Sequence, residues 1–185
     1  MTAPAAHSGP DLHALFALFP PRADVPAFTY VASPDVPEPY RGLLVHQHHM
    51  TVTVEDFHGS LVDVRILESV QKEHYYARKI LLALQSTGRI VQFGIVRVYY
   101  DYLSEPVRQE IMAGLTPLGR VLIQHDVLRR IEPTAFVRVE PPPEMLGYFG
   151  LTQPATMYGR LAYIHCDNQP AVELLEIVAP EPPGR

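Results

Sequence analysis

The chain has 185 residues, enough for one domain with a sizeable core, and a formal net charge of -5. With no basic surplus to neutralise phosphates, the composition argues against nucleic acid as a partner, and a single cysteine, Cys166, excludes an internal disulfide. No apolar run reaches the roughly 20 residues that a membrane-spanning helix needs, and the N-terminus lacks a basic stretch followed by an apolar core, so the expected setting is the cytoplasm, with no membrane partner.

Prolines crowd the first 40 positions and return at Pro180, Pro182 and Pro183. Proline removes backbone donors and disfavours helix and central strand. Residues 1–40 are therefore expected to be a proline-rich arm, 41–180 the folded domain and 181–185 a tail. Within the arm, Asp11 to Phe19 predicts a short helix: Asp11 caps it, Leu12, Leu15, Phe16 and Phe19 share a face, and Pro20-Pro21 stops it. Ala23 to Pro39 reads as loop. Tyr40 to His46 reads as a helical turn, and Met50 to Phe57 fits helix or strand equally.

Strands follow. Leu61 to Val70 alternates, with Val62, Val64 and Ile66 on one side and Asp63 and Arg65 on the other. His74 to Leu84 and Ile90 to Tyr100 are the next two, joined by a hairpin turn over Ser86 to Arg89. Leu103 to Ala113 predicts a helix capped by Ser104 and ended by Gly114. Thr116 and Pro117 start another, as cap and first helical residue. Val127 to Glu140 contains a strand, broken by Pro141-Pro-Pro143. Met157 to Asp167 and Val172 to Val178 close the chain as a hairpin around Asp167-Asn168. Hairpins with a helical insert, and no regular βαβ alternation, favour an antiparallel α+β domain.

On the last strand, Val172, Leu174, Glu176 and Val178 share one face, and Ala171, Glu173, Leu175 and Ile177 the other. Both faces are largely apolar, so Glu176 sits among aliphatics and must be paired, raised in pKa, or used. Arg78 shares a face with Tyr76, Ile80 and Leu82. Arg97 shares one with Phe93, Ile95 and Tyr99. Each arginine is either an edge residue, an anion clamp, or half of an internal salt bridge such as Arg78 to Glu176.

His46, His48 and His49 invite a metal reading, but no matching ligand pair stands at a recognised spacing, so no metal is expected and the run reads as a polar turn. His58, His125 and His165 are scattered. Cys166 has no activating neighbours and reads as a buried small hydrophobe. Gly114 and Gly119 do not form a phosphate loop, since no Gly-Lys-Ser/Thr follows.

Four segments, in order, resemble the chorismate pyruvate-lyases, small cofactor-free enzymes that make 4-hydroxybenzoate. They are Met50-Thr51; Tyr76-Ala-Arg-Lys-Ile-Leu-Leu82; Thr116-Pro-Leu-Gly-Arg120; and Tyr158-Gly-Arg160 followed by Gln169-Pro170 and Leu175-Glu-Ile-Val-Ala-Pro180. The resemblance implies an antiparallel sheet of about six strands with helical flaps over an internal ligand cavity. It implies that Arg78 holds the ring carboxylate of substrate or product, that the Met50 and Leu118 amides bind the same ligand, that Gly94 leaves room beside it, and that Glu176 is the acid near the departing ether oxygen. No cofactor is implied, and the partner is a small-molecule aromatic acid. The family commonly has an arginine directly after the glycine, where this chain has Ile95; Arg97, two residues on, is the candidate replacement. The loop between Ser86 and Val91, the histidine run and the proline-rich arm also depart from the family pattern.

The chemistry so implied is elimination of pyruvate from chorismate or a related enolpyruvyl aromatic-acid precursor. Arginines hold the carboxylates, and a buried glutamate of raised pKa donates the proton. Two alternatives stand beside it. One is a non-catalytic aromatic-acid sensor or carrier on the same fold, which the loss of the arginine after Gly94 favours. The other is action on a different aromatic acid, to which Ile95 and the tyrosines Tyr75, Tyr76, Tyr99 and Tyr100 point.

Overall fold

The computed structural model describes residues 9–19 and 25–181. In chain order the elements are α1 (Leu12–Phe16), β1 (Ala27–Val31), α2 (Tyr40–Leu44), α3 (Met50–His58), β2 (Val62–Gln71), β3 (Tyr75–Leu84), β4 (Ile90–Tyr99), α4 (Glu105–Ala113), α5 (Leu118–Gln124), β5 (Arg129–Glu140), α6 (Pro143–Tyr148), β6 (Met157–Cys166) and β7 (Gln169–Val178). The strands form one seven-stranded antiparallel sheet in the order β1-β5-β6-β7-β4-β3-β2.

This is the expected antiparallel α+β class, with one strand more than expected. The addition is β1, inside the segment read as loop. Its Ala-Phe-Thr-Tyr-Val sequence has strand character, and it pairs only with β5, at the sheet edge, where flanking prolines cost no central ladder bond. Residues 20–24, including the Pro20-Pro21 stop, lie outside the described residues, as do 1–8 of the arm and 182–185 of the tail.

Alternation along the central strands sorts their side chains onto two faces. Phe93 and Ile95 of β4, with Leu175 and Ile177 of β7, pack against Leu12, Leu15 and Phe16 of α1 and Met145 of α6. Val96, Val98, Val172 and Leu174 face α4 and α5. Ile80, Leu82 and Val178 face α2 and α3. Strand β7 is thus covered on both sides. Each fully buried aliphatic contributes roughly 1.5–3 kcal/mol.

Local chemistry sets the helix ends. The Ala14 amide donates to the Asp11 carboxylate at 2.7 Å, capping α1. The ambiguous segment from Met50 is helical, and α3 ends at Gly59, where φ of +64° suits glycine. Helix α5 begins one residue later than expected: Pro117 is its cap, not Thr116, so Leu118 takes the first helical position. No helix among the described residues is long and apolar enough to cross a membrane.

Candidate functional site

The register of β3, β4 and β7 builds the site. Ile80, Gly94 and Glu176 lie side by side across the three strands. One row away lie Arg78, Val96 and Leu174; on the other side lie Leu82, Gln92 and Val178. With strands about 4.8 Å apart and about 3.3 Å per residue, the Arg78 and Glu176 backbones stand roughly 12 Å apart on one face. Both residues line the cavity, on the strands that flank Gly94. A methyl group there would meet Ile80 Cδ1 at 3.3 Å and the Leu175 carbonyl at 3.5 Å, so glycine keeps this floor flat.

The roof comes from two helix starts. His49, Met50 and Thr51 open α3, and Pro117, Leu118 and Gly119 open α5; together with the strands they enclose a cavity of about 40 Å³. The first amides of a helix have no intrahelical partner, so both roofs offer backbone donors. The two starts meet closely at Gly119, whose Cα faces His49 Cβ and Thr51 Oγ1; an added methyl would lie 3.1 Å from each. Of the residues singled out from the sequence, Met50, Arg78, Gly94, Leu118 and Glu176 all line this cavity.

Arg97 does not. Gly94 faces the cavity, so Arg97, three positions on, points through the sheet to the other side. There its Nε donates to Glu173 at 2.7 Å, and it lies over the rings of Tyr75 and Tyr99. It supplies no charge to replace the arginine missing at Ile95, whose side chain packs on that same opposite face.

Nor do Arg78 and Glu176 pair with each other. Glu176 is bonded to Arg160, its direct cross-strand neighbour on β6: Arg160 Nε donates to Glu176 Oε2 at 2.7 Å. Arg160 is 1% exposed and anchors the preceding loop as well. Its Nη1 donates to the carbonyls of Leu44 and His46, and its Nη2 to that of His48. Burial raises the Glu176 pKa above its ordinary value, while Arg160 and a hydrogen bond from Gln92 pull it down. Removing the carboxylate charge would strand a buried guanidinium, so the pair is ionic.

Arg78 is left over. It is 1% exposed, its Nη1 donates to the Ile111 carbonyl at 3.1 Å, and its Nε has no partner among the described residues. Burial lowers its pKa from the ordinary value, with Tyr76 opposing. Gln92, absent from the sequence reading, is the complementary orphan: it is buried, lines the cavity, and its Oε1 has no partner. Its signal was present in β4, where a polar residue stands two before Gly94 on an apolar face. Two such groups converging on one void are costly unless something binds them.

Of the histidine run, His49 lines the cavity. His49 accepts from Arg129 Nε at 2.7 Å; burial first, then Arg129 and Arg160, depress its pKa to about 4. His46 bonds the Leu43 carbonyl and has a pKa of about 4, again chiefly through burial. Among the described residues no cluster could hold a metal ion. Cys166 is buried, with its thiol pushed up to about 11, which makes it an inert hydrophobe. A second, wider depression of about 870 Å³ runs between α3 and the start of β5 and shares His49 with the cavity. It is open to solvent, and its lining includes Asp56, Asp126 and Arg130.

No protein-family model matches the sequence, and no curated protein matches it. Solved structures do. PhnF from Mycobacterium smegmatis matches with a TM-score of 0.51 at 10% identity, over 72% of this chain and 64% of that one. The ligand-binding domain of a proposed GntR-family transcriptional regulator from Bordetella bronchiseptica matches with a TM-score of 0.50 at 12% identity, over 65% of this chain and 86% of that one. The fold is chorismate lyase-like. At these identities the likeness speaks for the fold alone. A third match, the possible transcriptional regulator YydK from Bacillus subtilis, has a TM-score of 0.47 at 11% identity over 68% of this chain. This chain spans 59% of the length of YydK and 64% of that of PhnF. Within the chorismate lyase-like fold, the cavity is the space between the sheet and the starts of α3 and α5.

Proposed function

We propose that this chain is a ligand-binding domain that takes a small aromatic acid by its carboxylate. The observation that carries this is Arg78: a buried guanidinium with a free Nε, facing a cavity, while the nearby glutamates Glu173 and Glu176 are engaged by Arg97 and Arg160. A carboxylate would neutralise it with a charge-assisted bond worth more than a neutral one. The ring would lie on Gly94, between Ile80, Leu82, Val96 and Leu174, and the amides at the starts of α3 and α5 would add donors. The Bordetella bronchiseptica neighbour is itself a ligand-binding domain, which fits this reading.

A lyase is the second reading, favoured by one observation: Glu176, a carboxyl of raised pKa, lines the same cavity. To act as proton donor it would have to carry a proton while held by Arg160. Chorismate also brings two carboxylates to a cavity where, among the described residues that line it, Arg78 is the guanidinium without a carboxylate partner. Binding without turnover is therefore the stronger reading.

Calorimetric titration with 4-hydroxybenzoate, alongside an assay for pyruvate released from chorismate, separates them. The expected result is binding by the wild type, loss of at least about tenfold in affinity for Arg78→Met, and no pyruvate. Wild-type affinity in Arg78→Met would remove the carboxylate-binding reading. Pyruvate release that disappears in Glu176→Gln would establish the lyase instead.

A further inference from the structure

We infer, on the basis of that binding reading, that the cavity selects a monoanion: one carboxylate for Arg78 and a neutral hydrogen-bond donor for Gln92 and Glu176 at the other end, with dicarboxylates rejected. The charge count rests on Arg160. Its donors are spent on Glu176 Oε2 at 2.7 Å, the His46 carbonyl at 3.0 Å, the His48 carbonyl at 3.1 Å and the Leu44 carbonyl at 3.4 Å. It cannot turn toward a ligand without releasing both the carboxylate and the loop. Arg160 and Glu176 therefore cancel. His49, accepting from Arg129 at its Nε2, carries its proton on Nδ1 and is neutral. Arg78 remains as the uncompensated charge among the described residues that line the cavity, and one carboxylate balances it.

The polarity of the far end follows from Gln92. A carboxylate only accepts, so the Gln92 amide turns its NH₂ toward Glu176 and its Oε1 away. That Oε1 is buried and without a partner among the described residues. A ligand hydroxyl or amine can donate to it. A second carboxylate would instead meet an orphaned carbonyl oxygen and the Glu176 carboxylate, a like-charge contact that opposes binding in a desolvated site. An unsubstituted ring would leave Oε1 unsatisfied.

Two ligand pairs test this on the wild-type protein at pH 7.5. Terephthalate and its monoamide have the same shape and differ by one charge. The monoamide is expected to bind on the order of a hundredfold tighter. 4-Hydroxybenzoate and benzoate differ by one donor, and about tenfold is expected between them. In Glu176→Gln the repulsion is gone and Arg160 is released, so the terephthalate-to-monoamide preference should shift toward the dianion by at least about tenfold. In Gln92→Leu the ratio of 4-hydroxybenzoate to benzoate should fall toward one. Ratios within one protein are insensitive to a variant that is merely less stable, and the wild-type ratios need no variant. Equal affinity for terephthalate and its monoamide, with binding still dependent on Arg78, would overturn the charge rule and leave the carboxylate reading standing. If none of the four binds, the carboxylate reading falls, and the charge rule with it.

Discussion

His49 is the residue at which charge, burial and the cavity meet. It lines the void, touches Gly119 at the junction of the two roof helices, and accepts from Arg129. Its pKa in the folded chain is about 4, against an ordinary 6.5, because burial and the guanidinium beside it both oppose a second proton. Between those values the unfolded chain binds a proton at this position and the folded chain does not. Acid therefore favours unfolding, and the stability contributed by neutral His49 is lost as pH falls from about 6.5 to about 4. The effect amounts to at most about 3 kcal/mol. His46 acts in the same direction. Glu176, with its raised pKa, acts in the opposite one, so the comparison must be made against a variant. Replacing His49 with glutamine keeps an acceptor for Arg129 and removes the proton site. Thermal melts between pH 7.5 and pH 4.5 should show a smaller loss of Tm in His49→Gln than in the wild type. Parallel pH profiles would mean that His49 is protonated in the folded chain after all.

At the scale of elements, the closing hairpin decides what the site contains. Asp167 and Asn168 both have positive φ, 49° and 64°, and make the tight turn expected from the sequence. Counting back from that turn puts Leu175 opposite Arg160. A bulge between Ile164 and His165, at the level of Pro170, shifts the register by one, and Glu176 takes that place. This is why the faces of β7 were legible from alternation, while the partner of Glu176 was not: alternation is local, and one bulge relocates every pair beyond it. The same logic explains Arg97, whose opposite orientation was implied by Gly94 once that glycine was known to face the cavity. Farther along the same hairpin, Gly159 lets β6 and β7 approach closely. A Cβ there would lie 2.6 Å from the Glu176 carbonyl and 2.9 Å from Ile177 Cγ1, with the backbone of β7 unable to give way. Alanine normally gains about 0.5–1 kcal/mol over glycine in regular structure. Here the clash dominates, and Gly159→Ala should cost about 2–3 kcal/mol in denaturant melts, with ligand affinity falling as Glu176 is displaced. A variant as stable as the wild type would show that β6 and β7 are not held as closely as this register requires.

For the whole molecule, the contrast is between a rigid floor and a light roof. The floor is the middle of a seven-stranded sheet, paired on both sides and covered on both faces. The roof is the start of α3, nine residues long, and of α5, seven, joined by close contact at Gly119 and the Arg120–Glu55 ion pair. The cavity between them, about 40 Å³, has room for a few waters at roughly 10–15 Å³ each and is small for an aromatic ring. An aromatic acid cannot enter it as it stands, so binding requires the two helix starts to part. Openings of this kind draw on the least stable parts of a fold, well below the global unfolding free energy. Amides at the starts of α3 and α5 should therefore exchange with solvent before those of β3, β4 and β7. A ligand held beneath them at about 100 times its Kd should slow their exchange about 100-fold, equivalent to about 2.7 kcal/mol. The edge strand β1, remote from the cavity, should slow far less, because fraying there does not release the ligand. Hydrogen exchange followed by mass spectrometry, with and without 4-hydroxybenzoate, reads this directly. Exchange at α3 and α5 as slow as in the central strands would mean a roof that does not open. The ligand would then have to bind elsewhere, and the wider depression beside His49 would become the place to look.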